Sequence, residues 1–401
     1  MSRKDTAAKE GRRRLAIPEP NRAILCLDGG GIRGIMTLQL LKRLEAIAGA
    51  PCHALFDMVA GTSTGGIIAG LIAAGWTAPE IEGLYSRFVH LVFTDRSFYS
   101  SRFVDPPKYT KKYYRRALRE LLGDMRLRDA TAKTGIDVLI TSKDVAEGEE
   151  TYFTCAHDED SDQYLGTYKD VLLRAVMEAT MSAPTFFTPL ERFVDGGVTT
   201  FNNPGMAAII EAVRYGPKEK YRSDALTVMS FGTGYRCQFL KPLQVPDPPG
   251  IDAYFWLQWI MNEAGADASD MQSYFLRSGI VPGLDYRRFQ ISLDEAAIRK
   301  LPNQSLAGDP RRPQQWLYDL SDEDLASIEL DDVKHFEVMR AVGAGIAAKL
   351  DQIAAEGGPQ PFTADLVDPK TKSDLLVTRQ GDIDRIHAQL SNPIWLDRFE
   401  T

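Results

Sequence analysis

The sequence predicts an α/β fold, a three-layer α/β/α arrangement whose central sheet is largely parallel, with a mainly helical C-terminal portion. Three observations carry that prediction. Short apolar runs ending at glycines or polar turns recur through the first 240 residues, as buried strands do. Helical segments lie between them, and strands alternating with helices build parallel sheets covered on both faces. The 401-residue chain is 44% hydrophobic and 25% charged, ordinary values for a soluble protein long enough to bury a sizeable core.

Residues 1–20 (MSRKDTAAKEGRRRLAIPEP) are polar and basic with no apolar segment behind the charges, so they read as a disordered basic tail and not as a secretory signal. Arg12, Arg13 and Arg14 are candidates for contact with an anionic surface. Residues 23–27 (AILCL) form a first buried strand, and residues 35–48 a helix with Leu38, Leu41, Leu44 and Ile47 at helical spacing. The longest uncharged stretch, residues 58–79, raises the question of a membrane span. Its glycines (Gly61, Gly65, Gly66, Gly70, Gly75) and consecutive hydroxyls (Thr62, Ser63, Thr64) point instead to a strand over 55–60, a tight turn and an apolar helix over 64–74. Further strands are expected at 136–142, 152–155, 191–194 and 226–231, with helices at 80–91, 109–122, 169–181 and 206–215.

Four prolines in residues 240–250 (LKPLQVPDPPG) exclude regular structure and break the pattern. Beyond them strand signals fade and helical ones dominate, including 253–263 and 332–355, with a second Pro/Gly-rich stretch at 301–313. The chain therefore divides into the tail (1–20), an α/β core (21–240) and a helical region (241–401) that completes or regulates the core. Forty-seven Lys and Arg against fifty-five Asp and Glu give a net charge of −8, which argues against a general binder of nucleic-acid polymers. Cys26, Cys52, Cys155 and Cys237 show no C-x-x-C spacing, so neither a zinc site nor a disulfide framework is suggested.

Two glycine clusters carry the chemistry. Gly29-Gly30-Gly31-Ile32-Arg33-Gly34 satisfies G-x-G-x-x-G between a strand and a helix, the context of a dinucleotide-binding loop. The ribose-binding acid such a loop needs would be Asp57, which sits near the start of its strand, and Asp28 would put a carboxylate beside the pyrophosphate. Gly61-Thr62-Ser63-Thr64-Gly65 is G-x-S-x-G between an apolar strand and an apolar helix. That is the setting of a nucleophile elbow, where the helix start favours negative charge at the serine. A serine nucleophile needs a base. None of the five histidines (His53, His90, His157, His335, His387) has a loop setting that presents it to a site. Asp195, ending a short apolar strand before Gly196-Gly197, is the other candidate.

Together these residues resemble the patatin-like phospholipases, lipid acyl hydrolases with a Ser–Asp dyad in place of a triad. Residues 28–34 (DGGGIRG) look like the family's oxyanion loop, residues 61–65 (GTSTG) like its nucleophile elbow, and Asp195-Gly196-Gly197 like its dyad aspartate block. Residues 179–189 (ATMSAPTFFTP), Asn202-Asn203-Pro204 and residues 230–234 (SFGTG) resemble supporting blocks, so the resemblance spans about residues 23–235. It implies Ser63 as nucleophile, Asp195 as base, and Gly29, Gly30 and Gly31 as oxyanion donors. Arg33 and Gly34 would support that loop, and Gly61 and Gly65 would flank the elbow. It implies no cofactor and no metal, calcium included, and a membrane phospholipid substrate met by peripheral contact at the inner surface of the cytoplasmic membrane. Some bacterial members are anti-phage effectors switched on by cyclic oligonucleotides, so a cyclic nucleotide activator and self-association into a homo-oligomer are further expectations. The competing reading is a nucleotide-binding α/β module using the Gly29–Gly34 loop.

Two stretches stand outside the resemblance. Residues 108–119 (KYTKKYYRRALR) interleave cations with Tyr109, Tyr113 and Tyr114. They read either as a headgroup or phosphate site or as a solvated helix face with its aromatics turned inward. Residues 254–260 (YFWLQWI) read either as a lipid-facing lid or as core packing.

Overall fold

The computed structural model of the protein describes residues 3–93, 107–155, 168–235, 265–367, 387–388 and 391–396. The apolar runs become strands of one eight-stranded sheet, numbered along the chain as β1 (Arg22–Leu27), β2 (Met58–Thr62), β3 (Asp137–Asp144), β4 (Glu149–Thr154), β5 (Phe193–Asp195), β6 (Leu226–Phe231), β7 (Leu284–Gln290) and β8 (Leu366–Val367). Their order is β4-β3-β2-β1-β6-β7-β8, and β5 pairs with β3 off this path. β3, β2, β1, β6, β7 and β8 run parallel, whereas β4 and β5 run antiparallel to β3.

Successive residues of a strand face opposite sides of the sheet, and here both sides are covered. Leu25, Leu27, Val59, Ile140, Met229 and Phe231 enter the larger core, under α2 (Gly34–Ala48), α4 (Thr64–Ala73), α5 (Ala78–Val92) and α8 (Leu173–Thr180), with α3 (Cys52–Leu55) between α2 and β2. Ile24, Cys26, Met58, Ala60, Leu139 and Val228 enter the second core, under α9 (Gly205–Ile210) and α10 (Gly265–Arg277). Strands buried on both faces need apolar residues at every position, which is why they read as unbroken apolar runs. All ten residues of α4 are buried. That explains its uniform apolarity without a membrane, and no described helix is long and apolar enough to cross one.

One expectation needs correction. The segment expected as a disordered basic tail holds helix α1 over Arg3–Arg14. Its charges anchor it, since the Arg12 guanidinium donates to the Leu55 carbonyl at 2.7 Å and to the Asp57 carboxylate at 2.5 Å. Gly11 packs against Ala48 and Leu55, and Leu15 is fully buried just after the helix. Arg13 and Arg14 pair with Glu10. The mainly helical region beyond residue 240 also supplies β7 and β8 to the same sheet. The sequence of β7, LDYRRFQ, hides its strand character behind two arginines, both of which are buried and paired. Arg287 donates to Asp285 and to the carbonyls of Leu15, Ala16 and Phe362, and Arg288 reaches back to β1. The long helix α11 (Phe336–Ala355) packs along α2. Residues 236–264, which include the proline break, the expected helix 253–263 and the aromatic run 254–260, lie outside the described residues, as do His157 and Cys237.

Candidate active site

β2 and β3 lie to one side of β1 and β6 to the other, so the loops leaving β1 and β6 part at their carboxyl ends and open a crevice there. The two glycine clusters both emerge at this place. Ser63 occupies the turn from β2 into α4 with φ 52°, a left-handed conformation that is costly for a residue with a side chain. The turn closes only because its flanks are glycines: a Cβ at Gly61 would overlap the Gly65 carbonyl, and one at Gly65 would overlap the Leu27 carbonyl. Hydroxyls fix the strained backbone. The Ser63 N–H donates to Thr180 Oγ1 at 2.8 Å, Thr180 Oγ1 donates to the Thr141 carbonyl at 2.7 Å, and Thr62 Oγ1 donates to the Phe201 carbonyl at 2.8 Å.

Asp195, the last residue of β5, is brought opposite this turn by pairing with Ser142 of β3. Its Oδ2 accepts the Ser63 hydroxyl at 2.6 Å and its Oδ1 accepts the Gly197 N–H at 2.7 Å. Its own N–H donates to the Ser182 carbonyl at 3.1 Å. The residue is only 5% exposed. Burial pushes its carboxyl up to about 7, against the hydrogen bonds from Ser63 and Gly197 that favour the ionised form. No described histidine hydrogen-bonds to either residue, and His335 is paired with Asp332 instead. The arrangement can pass the Ser63 proton to a carboxylate whose affinity for it is matched to neutral pH.

The loop after β1 packs beside Ser63 with its carbonyls turned to other partners. The Gly29 carbonyl accepts from Thr233 Oγ1 at 2.8 Å, and the Gly31 carbonyl from Thr64 Oγ1 at 2.9 Å and Tyr85 OH at 2.5 Å. Gly31 has φ 56° and lies so close to Leu330 that a Cβ would overlap its carbonyl, which accepts the Ile32 N–H at 2.8 Å. The N–H groups of Gly30 and Gly31 have no partner among the described residues. The Gly29 N–H is directed at the Asn202 carbonyl at 3.3 Å, so of the three expected donors it is already engaged. Arg33 turns back on its own loop, with its Nε 3.5 Å from the Gly30 carbonyl, and Gly34 leaves room for Thr64 at the start of α4.

The two acids that bore on the dinucleotide reading are both accounted for. Asp57 precedes β2, at the opposite end of the sheet from the glycine loop, where it pairs with Arg12 and Arg22 and accepts the Ala23 N–H. Asp28 is buried in a two-pronged pair with Arg288, at 2.8 and 2.5 Å, and Arg288 also donates to Ser230. The basic stretch beginning at Lys108 is likewise largely paired, with part of it in α6 (Lys112–Leu122). Lys111 and Arg115 meet Glu178, Lys108 meets Asp331, Tyr109 donates to Asp331, and Tyr114 is buried with its hydroxyl on the Met177 carbonyl. The inward-turned aromatics are therefore the reading that holds for Tyr109 and Tyr114, whereas Tyr113 is exposed. Sequence reasoning did not single out Thr180, Ser182, Asn202 or Arg288. The first three sit inside the blocks recognised by resemblance, whereas Arg288 carries no local signal.

The chain is similar to known proteins over parts of its length. Residues 25–209 match the family model for patatin-like phospholipases. Patatin-17 of Solanum cardiophyllum is 28% identical over 309 residues, covering 69% of this chain and 76% of that protein. The cUMP-AMP-activated phospholipase of Escherichia coli is 50% identical over 74 residues, 18% of this chain and 23% of that protein. Among solved structures, human GIVD cytosolic phospholipase A2 aligns over 88% of this chain and 63% of its own, with a TM-score of 0.39 and 11% identity.

Proposed function

Because the chain belongs to the patatin-like phospholipase family, whose name and relatives point to lipid hydrolysis, we propose that it cleaves carboxylic ester bonds of membrane phospholipids through a Ser63–Asp195 dyad and an acyl-enzyme. One observation carries this reading: the hydroxyl of a serine held in a strained strand-to-helix turn donates at 2.6 Å to a buried carboxylate. Asp195 takes the Ser63 proton as Oγ attacks the ester carbonyl carbon, and the carbonyl π electrons move onto oxygen. The N–H groups of Gly30 and Gly31, with the positive end of α4 nearby, stabilise that oxyanion. The intermediate collapses as Asp195 returns the proton to the departing alkoxide, which leaves as the alcohol. Asp195 then takes a proton from water, the resulting hydroxide attacks the acyl-Ser63 ester, and the proton passes back to Ser63 Oγ as the fatty acid leaves. No step draws on a metal or cofactor.

A base half-ionised near pH 7 combines availability with proton affinity, and the position of Asp195 at about 7 supports its role. The reading extends to action at the inner surface of the cytoplasmic membrane and to a resting state released by a cyclic oligonucleotide or by self-association. The likeness over 74 residues to a relative described as cUMP-AMP-activated supports the nucleotide part. The test is fatty-acid release from phospholipid vesicles by the wild-type protein and by Ser63→Ala, each with and without a panel of cyclic nucleotides. Release that requires Ser63 supports the dyad, and equal release by a folded Ser63→Ala protein overturns it. Stimulation by one nucleotide supports the switch, and activity unchanged by all of them and by protein concentration overturns that part alone.

A further inference from the structure

Thr180 is the last residue of α8, fully buried, and its hydroxyl is the only partner of the Ser63 amide among the described residues. That amide directly precedes the strained Cα and is one of two N–H groups that a serine elbow could otherwise turn toward substrate. Here it points away, held by a hydroxyl whose own proton is fixed on the Thr141 carbonyl of β3. Two residues on, the Ser182 carbonyl accepts the Asp195 N–H, and Ser182 Oγ accepts from the buried Lys111 ammonium at 2.6 Å while donating to the Glu178 carbonyl. A short segment thus grips the main chain at both members of the pair, Ser63 through Thr180 and Asp195 through Ser182. Resting on the dyad reading above, we propose that Thr180 is a positioning residue whose hydroxyl, not its bulk, holds Ser63 in its positive-φ conformation with Oγ aimed at Asp195.

The hydroxyl and the methyl of Thr180 do separable work. The methyl packs against Gly66 on α4, where a Cβ would crowd it. Thr180→Val keeps that shape but leaves the Ser63 N–H without an acceptor, whereas Thr180→Ser keeps the acceptor and gives up the methyl. Misaiming a nucleophile by a fraction of an ångström to an ångström lowers the rate by about 10- to 100-fold. With a short soluble ester, Thr180→Val should therefore lose about that factor in kcat at unchanged KM, and its pH midpoint should move above about 7 as the Ser63 hydrogen bond that holds the Asp195 carboxyl down is loosened. Thr180→Ser should stay within about threefold of wild type, since its acceptor is intact. If the valine protein does not fold, Thr180→Cys, a weak acceptor in the same place, should lose at least about fivefold. A folded valine variant as active as wild type, or a folded serine variant as impaired as the valine one, overturns the inference. Labelling by a fluorophosphonate separates the two levels. Absence of labelling on Ser63 in the wild-type protein would sink the dyad itself, while equal labelling rates in wild type and Thr180→Val would sink only the role of Thr180.

Discussion

Replacing Asp195 by asparagine should abolish the activity and at the same time remove a pH-dependent weakness from the fold. The carboxyl is raised from its ordinary 3.8 to about 7 because it is buried beside Ser63 and the Gly197 amide, with no cation among the causes of its shift. The folded protein therefore binds this proton more tightly than the unfolded chain. Its contribution to stability is fully present below about pH 3.8, falls as pH rises, and is spent above about 7. At about 1.4 kcal/mol for each tenfold change, the interval amounts to about 4 kcal/mol, an order-of-magnitude figure. Asparagine cannot ionise, so any misfit of its amide against Ser63 or Gly197 shifts stability by an amount independent of pH. The assay is urea unfolding of both proteins at several values from pH 5 to 8. Stability of the wild type minus that of Asp195→Asn should decline by about 1.4 kcal/mol per pH step up to about 7 and then level off. Over the same range kcat/KM of the wild-type protein should rise, since only the ionised carboxylate can take the Ser63 proton. Parallel stability curves would mean that the carboxyl ionises at its ordinary value and would refute both the burial argument and the assignment of a base tuned to neutral pH.

Ser63→Ala should lose ester hydrolysis by at least about 10³-fold and remain folded. It also removes a hydrogen bond that holds Asp195 down, so the stability window just described should extend to higher pH, readable in the same unfolding series. Arg288→Met strands the buried Asp28 carboxylate and should lower stability by about 3–5 kcal/mol, measured as a urea midpoint. Hydrolysis by the wild-type protein should persist in excess chelator, because in the proposed mechanism backbone N–H groups take the role a metal would have at the oxyanion. Loss of activity restored by calcium alone would contradict that.

The glycine-flanked turn at Ser63 and the alternating fold were legible because local rules dictate them: Gly61 and Gly65 have no steric alternative, and β1, β2 and β3 are buried on both faces. What stayed hidden depends on distant partners. The basic run in α1 looks like a solvated tail until Asp57 and the Leu55 carbonyl, more than forty residues away, are seen to receive Arg12. β7 carries two adjacent arginines that disqualify it as a buried strand by composition, and partners mostly distant in the chain make their burial tolerable: the carboxylates of Asp285 and Asp28, the carbonyls of Leu15, Ala16 and Phe362, and the Ser230 hydroxyl. The glycine loop after β1 divides in the same way. Its three glycines were readable in a row, but that the Gly29 amide turns to Asn202 while those of Gly30 and Gly31 do not is decided by Asn202, Thr233 and Leu330.

Whether Ser63 is the nucleophile is tested most directly by reacting the full-length protein with a fluorophosphonate across a pH series and locating the adduct by peptide mass. The dyad predicts a single adduct on the peptide containing Ser63, forming at a rate that rises through about pH 7 in the wild-type protein and collapses in Asp195→Asn. An adduct on another residue, or labelling of Ser63 that is as fast in Asp195→Asn as in wild type, would contradict it.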